Sequence, residues 1–130
     1  LSFKKPSLSY VSQLYVLLIM KNGKLIKIDI GHSNYSIEKA ISILEITVSQ
    51  SAYEGQYRAI KVVTGHGGGK LRKAVREWCS DQDGRFQAVI YGEDYSMFNK
   101  DAADMRADCA LNNDPDFGKN NRAVTYIWLW

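Results

Sequence analysis

Residues 61–78, KVVTGHGGGKLRKAVREW, combine a glycine-rich loop with a basic helix. A strand-like run ends in four glycines and one histidine, and the helix predicted to follow carries Lys70, Arg72, Lys73 and Arg76. Glycines let a phosphate approach the backbone, and the N-terminus of a helix offers free N–H groups and partial positive charge. Basic side chains in a first helical turn oppose that dipole, so their clustering here indicates a polyanionic ligand.

The glycine loop does not match the common nucleotide-binding fingerprints. A P-loop reads G-x-x-x-x-G-K-[ST], whereas Gly65 to Gly69 is one residue too short and Leu71 replaces the hydroxyl that would bind Mg²⁺. A dinucleotide loop would need glycine at Lys70. Several cations suit the distributed phosphates of a nucleic acid better than a mononucleotide. The alternative is a glycine-rich turn whose basic face is only solvated.

The elements that would position this loop alternate between strands and helices. Ser36 is predicted to cap a helix, and a second helix opens directly after the glycine loop. The predicted elements are a helix of about four turns with Ile37, Ala40, Ile41, Leu44 and Val48, a strand over 59–63, a helix with Leu71, Ala74, Val75 and Trp78, and strands over 86–91 and 123–129. This order predicts α/β topology, with right-handed crossovers that place both helices on one face of the sheet.

Two other segments extend this core. At the N-terminus, apolar runs over 15–20 and 24–30 joined by Asn22-Gly23 favour a hairpin, with Ile19 opposite Ile26. The alternative there is a helix, whose stripe would be Leu8, Val11, Tyr15 and Leu18. Residues 93–121 are too long for an ordinary connection, and the spacing of Phe98, Ala102, Met105 and Cys109 predicts a helix within them.

The net charge of +3 is the sum of two opposed regions. Residues 58–76 hold six basic residues and no acid, whereas residues 93–116 hold seven acids and two bases, a local charge of −5 that leaves +8 on the rest. The longest apolar run, seven residues, is too short to cross a bilayer, so no membrane partner is expected. The isolated Cys79 and Cys109 predict buried thiols in a reducing compartment, either cytoplasm or an organelle matrix.

Three motifs resemble the Smr (small MutS-related) domain family. Thr64-Gly65-His66-Gly67 is similar to the TGxG form of the family's glycine motif, and LRKAVREW continues it without a gap. Residues 28–32, IDIGH, resemble the family's L-D-x-H-G motif, except that Gly31 occupies the histidine position and His32 follows one residue late. Residues 123–129 echo the family's final strand.

This resemblance implies one domain over residues 1–130. Its fold would be a two-layer α/β sandwich with the order β-α-β-α-β-β, similar to the C-terminal domain of translation initiation factor 3. The resemblance covers about 26–129, with an N-terminal extension over 1–14 and a helical insertion over 93–115. It implies nucleic-acid binding and endonuclease activity, on RNA ahead of DNA. The alternative is a non-catalytic module that recruits a larger protein to RNA or the ribosome.

The resemblance also assigns candidate site residues. Carried over position by position, the catalytic residues are Asp29, His32 and Arg72. With the loop and the basic helix included, the predicted nucleic-acid contacts are Thr64, Gly65, His66, Gly67, Gly69, Lys70, Lys73 and Arg76.

Asp29 and the glycine loop would meet at the carboxyl edge of neighbouring strands. For RNA, Asp29 or a histidine would remove the 2′-hydroxyl proton, and Arg72 with the loop amides would stabilise charge on the phosphate. No metal and no cofactor are expected. Simpler roles remain open: Asp29 could only cap a turn, His32 could be a surface turn residue, and Arg72 could only contact phosphate.

Overall fold

A computed structural model describes residues 19–130. Its elements in chain order are β1 (Ile19–Asn22), β2 (Leu25–Asp29), α1 (Ile37–Glu54), β3 (Ala59–Val63), α2 (Lys70–Ser80), β4 (Ala88–Tyr91), a short 3₁₀ helix (Gly92–Asp94), α3 (Lys100–Cys109) and β5 (Val124–Trp128). The predicted α/β fold class is confirmed.

The five strands form one sheet in the order β1-β2-β3-β5-β4. β2 and β3 are parallel and the remaining neighbours are antiparallel. The carboxyl ends of β2, β3 and β4 therefore lie at the same edge of the sheet, and β5 begins at that edge. Every loop predicted to take part in the site starts or ends there.

The structure confirms the residue predicted to cap the start of α1. Ser36 Oγ accepts a hydrogen bond of 3.1 Å from the Lys39 N–H, which satisfies one of the free donors at the start of α1. Gly55 ends the same helix with φ of +72°, a left-handed conformation that glycine adopts without strain. α1 runs for 18 residues, about one turn longer than predicted.

The sheet separates two apolar clusters, as expected where side chains alternate between faces. One face packs against α1 and α2, with Ile28, Ile60 and Ile127 of the sheet contacting Leu44 and Val75 of the helices. The predicted placement of both crossover helices on one face agrees with this packing.

Residues 93–115, predicted to be an insertion, cover the opposite face of the sheet, so the observed sandwich has a third layer beyond the two predicted. There Leu25 and Tyr126 of the sheet pack with Ala102, Met105 and Cys109 of α3. Phe98, predicted within the same helical stripe, instead precedes α3 and is 91% exposed. The helix begins later because Asn99 caps it, through an Oδ1 that accepts from the Ala102 N–H at 3.0 Å.

The predicted hairpin is observed from Ile19 onward, but its predicted register is wrong. Ile19 pairs with Ile28 instead of Ile26, and Gly23 and Lys24 form the turn. The cause is the packing of this turn on the end of α3: the Lys24 N–H donates to Cys109 O at 2.9 Å, and a Cβ on Gly23 would lie 2.5 Å from the same oxygen. Residues 1–18, with Leu8 and the other positions of the helical alternative, lie outside the described residues.

Candidate nucleic-acid interface

Three loops meet at the carboxyl edge of β2 and β3. Asp29 is the register partner of Val63, and the Ile30 N–H donates to Val63 O at 3.0 Å, so the loops after β2 and β3 leave the sheet side by side. The Thr64 N–H donates to Ala123 O at 2.7 Å, which fixes the start of β5 beside them. The edge thus carries the loops 30–36, 64–69 and 117–123.

Gly31 brings the first two loops into direct backbone contact. A Cβ at this position would lie 2.5 Å from both C and O of Thr64 and 2.9 Å from the Gly65 nitrogen. Real side chains do not approach a backbone so closely, so only glycine fits. This contact gives a physical reason why glycine precedes histidine here, in the reverse of the Smr motif order.

Asp29 and His32 are hydrogen-bonded at the edge of this contact. Asp29 Oδ1 accepts from the N–H groups of Gly31 at 3.0 Å and His32 at 3.2 Å, which caps the turn. The other carboxylate oxygen, Oδ2, is bonded to His32 Nδ1. Because an ionised carboxylate can only accept, Nδ1 carries the proton and the lone pair of a neutral ring lies on Nε2. The His32 side chain is 75% exposed, so Nε2 is accessible to a substrate.

The glycine loop presents an open backbone in front of α2. Gly65 and Gly69 have φ of +80° and +88°, values that L side chains rarely adopt. A Cβ on Gly67 or Gly68 would have no heavy atom within 4 Å, so this stretch is open to a ligand. No side chain of residues 19–130 caps α2, whose first backbone hydrogen bond runs from the Lys73 N–H to Gly69 O at 2.9 Å. The preceding N–H groups are therefore available to an anion.

The cations of α2 differ in their surroundings. The guanidinium of Arg72 folds back over the start of its own helix, with Nη2 2.6 Å from where a Cβ on Gly69 would lie. Lys70 is exposed. In the part of the chain that the structure describes, Lys73 has one ion-pair partner, Glu77 at 4.0 Å, and this exposed pair contributes little to stability. These cations surround the uncapped helix N-terminus.

The histidine and threonine of the loop have different surroundings. His66 is exposed at the loop. Thr64 is buried, and its hydroxyl donates to Ala123 O at 3.0 Å, so it anchors the loop to β5. Within residues 19–130, no hydrogen bond or ion pair joins Arg72 to Asp29 or His32. Arg72 lies against Gly69 at the end of the glycine loop, whereas Asp29 and His32 flank Gly31, which contacts Thr64 and Gly65 at its start.

Arg76, predicted from the sequence to contact nucleic acid, forms its hydrogen bonds with other residues of the protein. Its Nη1 and Nη2 donate to the two carboxylate oxygens of Glu93, both at 2.8 Å, and its Nε donates to Thr125 Oγ1 at 3.1 Å. The guanidinium stacks 3.9 Å from the Tyr91 ring centre, and the side chain is 12% exposed. The hydrogen bonds from Arg76 hold the pKa of Glu93 below its usual value. Arg76 thus joins α2 to the sheet.

The acidic insertion neutralises basic residues of the core. Besides the Arg76 pair, Arg58 Nε lies 3.0 Å from Asp108 Oδ2, and Lys61 Nζ lies 2.7 Å from Asp114 Oδ1. Half of the six cations in residues 58–76 are thereby paired, and the remaining three lie on the first turns of α2. Sequence reasoning missed the Lys61 pair, although a lysine within the apolar strand sequence AIKVV is itself a signal of a buried partner.

No group of three or more His, Cys, Asp or Glu side chains among the described residues is placed to hold a metal ion. In the same part of the chain, no helix combines the length and apolar character needed to cross a membrane.

The order of strands and helices defines a mixed α/β domain, with an open glycine loop at the carboxyl edge of its sheet. Residues 33–93 match the family model of the Smr domain, which confirms the resemblance seen in the sequence. The solved structure of the Smr domain of Thermus thermophilus MutS2 is similar in fold, with a TM-score of 0.51 and 17% identity over 80% of this chain and 96% of that chain. No curated protein matches the sequence. The matched segment contains the glycine loop and α2, whereas Asp29 and His32 precede it.

Proposed function

We propose that this domain binds single-stranded RNA at the carboxyl edge of β2 and β3 and cleaves it without a metal ion. The observation that carries the proposal is the Asp29–His32 hydrogen bond, because it places an oriented imidazole beside an open glycine loop. The family resemblance supports nucleic acid as the ligand. The uncapped N-terminus of α2 supports a phosphate as the group that is held.

In the proposed reaction, a backbone phosphate lies against the glycine loop and the N–H groups at the start of α2. His32 Nε2 removes the proton from the neighbouring 2′-hydroxyl, and Asp29 stabilises the imidazolium that forms. The 2′-oxygen bonds to phosphorus, the bond to the 5′-oxygen breaks, and water supplies the proton to that leaving oxygen. The hydroxide that remains takes the proton held on His32 Nε2, which restores the water and the base. Arg72 and the loop amides stabilise the negative charge that builds on the phosphate. The products are a 2′,3′-cyclic phosphate and a 5′-hydroxyl end.

Cleavage is tested with 5′-labelled single-stranded RNA in EDTA. We expect cleavage by the unaltered protein, and loss of cleavage in Asp29→Asn and His32→Gln, which keep the size of the side chains. The matched control is Asp104→Asn, which removes a carboxylate on α3 whose one ion-pair partner among residues 19–130 is exposed Lys100. A substrate with 2′-deoxy sugars should bind and stay intact. Equal cleavage by Asp29→Asn and the unaltered protein would contradict the proposed mechanism.

Binding is tested separately from cleavage. We expect Arg72→Ala and Lys73→Ala each to weaken RNA binding and to reduce the slope of log affinity against log salt by about 0.7, the value for one phosphate contact on a single strand. Lys24→Ala, at the opposite end of β2, is the control and should leave both unchanged. Unchanged slopes in both α2 variants would show that the basic helix does not contact the RNA phosphates.

A second candidate function is RNA binding without cleavage, as a recruiting module. Two observations favour it: Asp29 and His32 lie outside the segment that matches the Smr model, and the histidine is displaced by one position. RNA that is bound with the expected salt dependence but stays intact in EDTA and in Mg²⁺ would establish this function instead.

A further inference from the structure

A second group of cations lies at the same edge of the sheet, in the segment just before β5. Lys119 and Arg122 are both exposed. Arg122 directly precedes Ala123, whose carbonyl oxygen accepts from both the N–H and the hydroxyl of Thr64 at 2.7 and 3.0 Å. Arg122 therefore lies next to the residue that anchors the glycine loop.

The backbone that carries these two side chains is fixed by hydrogen bonds. Asn121 Nδ2 donates to Asp116 Oδ1 at 2.8 Å, and Asn121 Oδ1 accepts from the Ala123 N–H at 2.9 Å. The Lys119 N–H donates to Asp116 O at 3.2 Å. Both cations are thus presented on a structured turn.

Neither Lys119 nor Arg122 takes part in an ion pair within residues 19–130, unlike Arg76 and the other cations that the insertion pairs. Glu93, whose charge Arg122 influences, already accepts two hydrogen bonds from Arg76. Those hydrogen bonds lower the pKa of Glu93, and the positive charge of Arg122 adds to the effect, so Arg122 lies within electrostatic reach of a carboxylate that is already neutralised. The two exposed charges remain available to a further anion.

We propose that Lys119 and Arg122 bind phosphates of the same RNA strand, so that the strand runs along the sheet edge from the end of β2 to the start of β5. This inference rests on the proposed function. β2 and β5 are separated by two strand spacings, about 10 Å, which corresponds to about three stacked nucleotides. A mononucleotide would fill the glycine loop alone, whereas a longer strand would reach Lys119 and Arg122.

The test measures binding of a fluorescein-labelled single-stranded RNA of twelve nucleotides against salt concentration. The double variant Lys119→Gln/Arg122→Gln removes two exposed cations without removing a backbone hydrogen bond. We expect its log–log slope to fall by about 1.4 and its affinity at 0.1 M salt to fall about 10- to 30-fold. Lys24→Gln, which removes one exposed charge at the opposite end of β2, is the control and should match the unaltered protein. Mononucleotide binding should be the same in all three.

The outcomes separate this inference from the function on which it rests. If the unaltered protein binds no RNA, both proposals are wrong. Suppose instead that the unaltered protein binds RNA and that Arg72→Ala weakens this binding. If the Lys119/Arg122 variant then binds as tightly as the unaltered protein, only this inference is wrong. A fall of about 0.7 in the slope of the Lys24→Gln control would show a nonspecific effect of net charge, which also contradicts it. Loss of mononucleotide binding in the Lys119/Arg122 variant would mean that these cations belong to the glycine-loop site. That result would contradict the proposed extended path of the RNA strand.

Discussion

The buried pair of Lys61 and Asp114 allows a quantitative prediction. The two side chains are 4% and 1% exposed, and Asp114 Oδ2 also accepts from the hydroxyls of Tyr95 at 3.0 Å and Tyr126 at 2.8 Å. Lys61→Met keeps an unbranched side chain of similar length but removes the ammonium group. A carboxylate then remains buried without its cation, which costs about 3–5 kcal/mol in comparable pairs. The tyrosine hydroxyls retain part of the hydrogen bonding, so we expect a loss of about 3 kcal/mol at pH 7.

The pH dependence identifies the physical cause of that loss. Burial acts to raise the pKa of Asp114, but the hydrogen bond and charge of Lys61, with the Tyr126 hydroxyl, outweigh it and hold the pKa below its usual value. In the unaltered protein this group therefore contributes stability that is lost as the pH falls through its folded-state pKa. Without Lys61 the balance reverses and the folded-state pKa rises. The variant's loss should then be smaller at pH 5 than at pH 7.

The assay is urea unfolding followed by tryptophan fluorescence at both pH values, with Lys24→Met as the exposed-lysine control. The control should differ from the unaltered protein by less than about 0.5 kcal/mol. If the free energies of unfolding of Lys61→Met and the unaltered protein differ by less than about 1 kcal/mol at pH 7, the reasoning is refuted, because Lys61 would then not compensate a buried charge.

Three further predictions concern other parts of the structure. Gly31→Ala should lower the free energy of unfolding by about 1–3 kcal/mol and weaken RNA binding, because its Cβ would collide with the neighbouring loop. Gly67→Ala, at an open position, should leave the free energy of unfolding nearly unchanged. Equal urea midpoints for the two variants would contradict the loop contact. Glu93→Gln should lower the free energy of unfolding by about 1–3 kcal/mol in a urea titration, because Arg76 loses its carboxylate partner. The salt dependence of RNA binding should stay unchanged, since Arg76 forms its contacts within the protein. A changed slope would indicate that Arg76 contacts the RNA. Burial raises the pKa of the Cys79 and Cys109 thiols to about 12, so both should resist a thiol reagent at pH 8 until the protein is unfolded, and rapid labelling of the native protein would be inconsistent with the core.

Features set by local sequence could be predicted well. The bounds of β3 and the start of α1 follow from a short β-branched run and from Ser36, because strand patterning and helix capping act over a few residues. The glycine loop and the basic start of α2 were likewise found from adjacent residues. The hairpin register depends instead on the contact of Gly23 with the end of α3, more than eighty residues away in sequence, and so escaped prediction.

The candidate site shows the same division. Asp29 and His32 were selected by motif, but only the fold shows that they are bonded to each other and that Gly31 touches the glycine loop. Arg76 looked like part of a ligand-binding face because its partner Glu93 is 17 residues away. A local count of charges cannot reveal which cations the fold has already paired.

The central claim, that RNA binds at the carboxyl edge of β2 and β3, is tested most directly by amide ¹H–¹⁵N spectra of the unaltered protein during titration with an eight-nucleotide single-stranded RNA. The account predicts that the largest shifts fall on the amides of Gly67, Gly68, Lys70 and Leu71, with none at Gly23 in the turn at the opposite end of β2. Shifts concentrated around Gly23, with the glycine loop unmoved, would contradict it.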